Sequence, residues 1–144
     1  MRETIPDNIH ISSLRGQWTE ESGYRAVKSW LSLSTSRKAI IDLVLSQNDA
    51  MAIGARKAFQ ELPNELESER WLSVPFLGCD GVPKTGQSWV RNGQLTATIV
   101  TPPNTGPAME MLHDALSNRK MPPARALIAA SSFPPLESLR PAIK

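Results

Sequence analysis

A chain of 144 residues, 40% apolar and 21% charged, has the size of one domain and the composition of a folded soluble protein, which excludes a disordered segment. Its 16 basic and 14 acidic residues leave a formal net charge of +2 and form no block of one sign, which argues against nucleic acid as a partner of this segment. No apolar run is long enough to cross a bilayer, and the N-terminal MRETIPDNIH lacks the apolar core of a signal peptide, so the chain as written is expected to carry no export address.

In chain order, IHISSL at 9–14 reads as a first strand. TEESGYRAVKSWL follows at helical period, with Tyr24, Val27 and Leu31 on one face, Thr19 as its cap, and Glu20 and Glu21 where the helix dipole favours acids. The β-branched run IIDLVL at 40–45 predicts a second strand. After a tight turn, Met51, Ala55, Phe59 and Leu62 repeat as a helix, with Asp49 as N-cap and onset near Ala50. Residues 63–70 are acidic and polar and read as a loop.

VPFLGCDG at 74–81 predicts a third strand ending in a Gly-rich turn, and a short helix through Trp89 and Val90 stops at Asn92-Gly93. LTATIV at 95–100 is the fourth strand. Pro102 and Pro103 break the chain, and Thr105 to Ser117 resumes a helical period with Ala108, Met111, Leu112 and Ala115 on one side. ALIAA at 126–130 predicts a returning strand before a Pro-rich tail. Short apolar runs alternating with helical stretches are the mark of an α/β domain with a mostly parallel sheet.

In an open α/β sheet, ligands bind beyond the carboxyl ends of the strands. The residues that follow the four runs are Trp18, Asn48, Asp80 and Thr101. One indole, one amide, one carboxylate and one hydroxyl, without a cation, suit a neutral polyhydroxylated ligand. A carboxylate accepts from neighbouring hydroxyls, an amide both donates and accepts, and an indole covers the apolar face of a sugar ring.

The same set serves catalysis poorly, since it holds no nucleophile beside a base and no metal-ligand cluster, and it calls for no cofactor. A flavodoxin-like enzyme or phosphate binder would need a Gly-rich strand-to-helix turn, and GCDGVP is too short and proline-broken for that. Cys79, the one cysteine, reads as a small buried hydrophobe, and Trp30, Trp71 and Trp89 read as core. His10 and His113 stand alone, and Arg56, Lys57, Arg91, Arg119 and Lys120 read as solvated helix faces and ends.

The strings SQNDAMAIGARKAFQ and VPFLGCDGVPKTGQSWVRNGQLTATIVTPPNTG, with GQWTEESG upstream, resemble the C-terminal half of periplasmic sugar-binding proteins of the ribose-binding type. The blocks match in order and spacing: QND-x-MA-x-GA opening a helix, G-x-DG closing a strand, and NG-x-L-x-ATI before the crossover. The resemblance covers most of residues 10–125. It implies a three-layer parallel-sheet lobe of a type I periplasmic-binding-protein fold, truncated. Residues 1–101 would form the C-terminal sugar-binding lobe. Residues 102–124 would be a crossover helix that packs on a missing N-terminal lobe, and 125–144 a returning strand and Pro-rich tail.

It further implies that two lobes close on a sugar about a hinge near Val100 to Pro103 and hand it to the membrane permease of an ABC importer outside the cytoplasm. Asn48 and Asp80 match the family's sugar-hydroxyl contacts and Trp18 its ring-stacking aromatic. Thr101 stands where ribose-binding members usually carry glutamine. The effector domain of a lactose-repressor-like regulator, which shares the fold, is the alternative. Without its second lobe, the exposed helix after Pro103 would also favour self-association.

Overall fold

The computed structural model describes residues 8–139, apart from the side chain of Arg37. Residues 1–7, part of the stretch read as lacking an export signal, and residues 140–144 of the tail lie outside the described residues. The elements run α1 (Glu20–Leu31), a 3-10 turn (Ser36–Lys38), β1 (Val44–Leu45), α2 (Asp49–Gln60), α3 (Glu65–Leu72), β2 (Phe76–Asp80), α4 (Gly86–Arg91), β3 (Ala97–Val100), α5 (Thr105–Ser117), β4 (Ser131–Phe133) and a second 3-10 turn (Leu136–Ser138). They build a four-stranded sheet in the order β1-β2-β3-β4. The first three strands are parallel and β4 runs antiparallel to β3.

Helices α1, α2 and α3 start at side-chain caps. Thr19 and Ser22 form a reciprocal capping box on α1, with Glu20 and Glu21 in its first turn. Helix α2 begins one residue earlier than the sequence predicts. Its N-cap is Asn48, whose side-chain oxygen accepts from the Met51 amide, so Asp49 is the first helical residue. Residues 65–70 are helix rather than loop: Asn64 caps α3 by accepting from the Glu67 amide, and Glu65 and Glu67 meet the positive end of the helix dipole. The acidic residues that look like loop are the first turn of a helix whose anchor, Trp71, lies just downstream and is 1% exposed.

The core sits between these helices and one face of the sheet. Val27 of α1, Ala52, Ala55, Ala58 and Phe59 of α2, Trp71 of α3, Phe76 of β2 and Leu95 form one buried cluster, with Trp30, Trp89 and Val90 packed against it. Phe59 stacks on Trp71 at 5.3 Å between ring centroids, and Trp30 meets Trp71 edge-on at 5.5 Å. Gly54 lets α1 close on α2, because a Cβ there would run into the Glu20 carbonyl. That contact fixes the start of α1 beside the start of α2.

Register sorts the strand residues between two faces. Val44 pairs with Phe76, and Gly78 with Thr98, on the helix-covered face. Leu45 pairs with Leu77, and Cys79 with Ile99, on the other. On this second face Leu45 and Ile99 remain 65% and 45% exposed, so a full helical layer covers only one side of the sheet among the described residues. Cys79 is a free thiol of intermediate burial there.

Three predicted strands differ from those observed. Residues 9–14 form no strand, and Ile9, Ile11 and Leu14 are exposed, because a strand needs a neighbour for its backbone groups and none of the described strands lies beside this run. IIDLVL contributes only Val44–Leu45, the length over which it meets β2. ALIAA is exposed and unpaired, and the strand that does return is Ser131–Phe133, in register with Thr98 to Val100. Helix α5 keeps its predicted bounds and buries no residue.

Candidate functional site

The carboxyl ends of β2 and β3 and the starts of α1 and α2 meet on one rim, and the four residues singled out from the sequence lie along it. Trp18 precedes the α1 cap with a positive φ of 64° and is 62% exposed. Its carbonyl accepts from the Asn48 side-chain nitrogen at 2.8 Å. The Asn48 oxygen accepts from the Met51 amide at 2.9 Å. Asn48 is 8% exposed, so its amide is a buried tie between two helix starts, with one N–H left over.

Asp80 closes β2 opposite Val100 and is exposed, with a φ of 104°. A non-glycine residue holds that conformation only where its surroundings impose it. The carbonyl of Asp80 accepts from the Thr101 amide at 3.1 Å, which latches β2 to the chain leaving β3. The Thr101 hydroxyl is exposed and reaches the same carbonyl at 3.4 Å, a long and weak contact. Asp80 has no ion-pair partner among the described residues, so its carboxylate is free to accept hydrogen bonds from a ligand.

Beneath the rim lies a residue the sequence reading treats only as a helix cap. The Asp49 carboxylate accepts from the Gly81 amide at 2.9 Å and from the Thr98 hydroxyl at 2.6 Å. Burial pushes its pKa up, the two hydrogen bonds pull it back in part, and the neighbouring charge of Asp80 adds to the rise. Gln87 of α4 completes the turn by donating to the Gly81 carbonyl at 2.8 Å. The one sequence signal for Thr98 is a hydroxyl at an inward position of the apolar alternation in TATIV. For Asp49 and Gln87 the pairing across elements leaves no such signal.

The rim therefore offers an exposed indole, an unpaired exposed carboxylate, an exposed hydroxyl and a buried amide, with no cation among these four. Among the described residues no group of three or more His, Cys, Asp or Glu is placed to hold a metal ion. What the arrangement can do chemically is accept and donate hydrogen bonds to hydroxyl groups while an aromatic face shields carbon.

No protein-family model matches the chain. In sequence it is 29% identical over 106 residues to the D-galactose/methyl-galactoside binding periplasmic protein MglB of Haemophilus influenzae, a match covering 73% of this chain and 29% of that protein. In structure it is similar to the fructose binding periplasmic domain of a hybrid two-component system, with a TM-score of 0.64, 25% identity, and coverage of 80% of this chain and 35% of that one. It also shares its fold with a LacI family transcriptional regulator from an Arthrobacter species in complex with lactose, at a TM-score of 0.54 and 24% identity over 78% of this chain and 38% of the regulator. The chain thus spans well under half the length of each of these three proteins. Its mostly parallel sheet, its helices and these likenesses make the chain part of a type I periplasmic-binding-protein fold, the fold of the periplasmic sugar-binding proteins it resembles.

Proposed function

We propose that the chain is the C-terminal lobe of a solute-binding protein that captures a monosaccharide or similar polyol reversibly, without chemistry, and delivers it to the permease of an ABC-type importer outside the cytoplasm. The observation that carries this reading is Asp80: an exposed carboxylate with no ion-pair partner among the described residues, held at positive φ on the rim. Trp18, Asn48 and Thr101 are its proposed companions in the ligand site. Likeness to a galactoside-binding and a fructose-binding protein supports a sugar as the ligand class. Titration of the full-length protein with D-galactose, methyl galactoside and D-fructose, with and without Asp80→Asn, tests it.

The rim is one wall of such a site, and the second wall belongs to a second lobe. Helix α5 supports that arrangement, because it buries no residue and leaves Met109, Leu112 and Leu116 in solvent. Residues 102–124 are thus proposed to pack on the other lobe, with the hinge near Val100 to Pro103, so that ligand shifts an open-closed equilibrium by touching both lobes only when they close. The fold also occurs in a LacI family transcriptional regulator in complex with lactose. The sequence match to a periplasmic binding protein favours transport.

A further inference from the structure

We propose that Asp49 is the positioning residue of this rim: its buried carboxylate ties the Gly81 amide to the Thr98 hydroxyl, holds the turn that presents Asp80, and so sets the affinity for ligand. The affinity half rests on the sugar reading above, and the positioning half stands on geometry.

An aspartate at the first position of a helix ordinarily faces water and the helix dipole. Asp49 is instead 3% exposed and turned across the sheet end. Its Oδ2 accepts from Gly81 and its Oδ1 from Thr98, so one side chain joins α2, the turn after β2 and strand β3. The space around it admits little else: a Cβ at Gly78 or at Gly86 would collide with the carboxylate. The two glycines thus form a cradle, one on β2 and one at the start of α4. Asp80 and Gly81 are consecutive residues at positive φ, 104° and 62°, a turn that persists only when surrounding groups over-determine it. Three bonds do so: Gly81 N–H to Asp49, Gln87 to the Gly81 carbonyl, and Thr101 N–H to the Asp80 carbonyl. Among these, the bond to Asp49 is the buried, charge-assisted one, and such bonds are the strong ones.

Asp49 lies below Asp80 and, being buried, acts through it. Asparagine can replace it by turning its oxygen to Gly81 and its NH2 to the Thr98 oxygen, whereas alanine leaves the Gly81 amide buried without a partner.

The test uses the full-length protein and the variants Asp49→Ala, Asp49→Asn and Thr98→Val. It reads Gly81 amide exchange without sugar, and affinity for D-galactose and D-fructose by calorimetry. In Asp49→Ala, Gly81 exchange rises and affinity falls by about tenfold or more each, with the Phe76 amide still protected. Asp49→Asn restores affinity to within about threefold of the parent. Should Asp49→Ala fail to fold, Thr98→Val carries the test, with Gly81 exchange and affinity each changed about threefold. Unchanged Gly81 exchange in the folded variant overturns the proposal, as does faster exchange with unchanged affinity. A parent protein that binds neither sugar overturns the sugar reading and the affinity half with it, and Gly81 exchange then still decides the positioning half.

Discussion

The side-chain nitrogen of Asn48 donates to the carbonyl of Trp18 at 2.8 Å across thirty positions of sequence, and the same side chain caps α2 through Met51. A residue that looks like a ligand contact thus also holds the indole's backbone in place. Asn48→Ala removes a cap, costing about 0.5 to 2 kcal/mol, and a second hydrogen bond of about 1 kcal/mol. Denaturant unfolding should lose about 1.5 to 3 kcal/mol in total, and a loss below about 0.5 kcal/mol would show that neither bond persists in solution.

Trp18 itself should behave in the opposite way. Its side chain is 62% exposed, so Trp18→Ala should change stability by no more than about 0.5 kcal/mol. If the indole stacks on a sugar, the variant should still weaken ligand binding in the full-length protein. Calorimetry showing unchanged affinity would make the indole a bystander.

Burial raises the pKa of Asp49, and the sign of the resulting pH dependence follows by linkage. The folded state holds this proton at a pH where the unfolded chain, with a value of about 3.9, has released it. The contribution of this group to stability is therefore fully present below about pH 3.9 and is lost as pH rises through the raised folded value. Asp49→Asn removes it, so the stability of the parent relative to this variant should fall as pH rises across that window. Parallel stability curves for the two proteins would contradict it.

Helix α5 offers a test of the two-lobe arrangement. With no buried residue, it has little tertiary packing to hold it, and short helices are marginal without such packing. In the isolated chain its amides should exchange far faster than those of α2, and in the full-length protein they should be protected. Protection equal to that of α2 in a monomeric isolated chain would mean that α5 needs no second lobe.

What the sequence revealed, and what it hid, follows from how local each signal is. The α2 run and its QND start, the G-x-DG strand end and α5 were legible because period, cap and breaker lie within a few residues of one another. Helix α3 was missed because its acidic first turn reads as loop until Asn64 is seen as its cap. The run 9–14 has the pattern of a strand, but a strand is completed by its neighbour, and no pattern within 9–14 supplies one. Around the candidate rim, Trp18, Asn48, Asp80 and Thr101 were legible from the rule that ligands lie at strand ends, although the strand expected before Trp18 does not form and its bond to Asn48 brings it there instead. Asp49, Thr98 and Gln87 were not, because their roles exist only in bonds between elements 6 to 49 positions apart.

In the proposed function, Asp80 on this rim receives the hydroxyls of a neutral sugar. Isothermal titration of the full-length protein with D-galactose, D-fructose and methyl galactoside, beside its Asp80→Asn and Asp80→Ala variants, tests it most directly. The parent should bind at least one of them saturably, with binding weakened in Asp80→Ala by about 1.5 to 3 kcal/mol for each charged hydrogen bond lost and the fold retained. Binding that is the same in parent and variants, or absent for every neutral sugar tried, would contradict it.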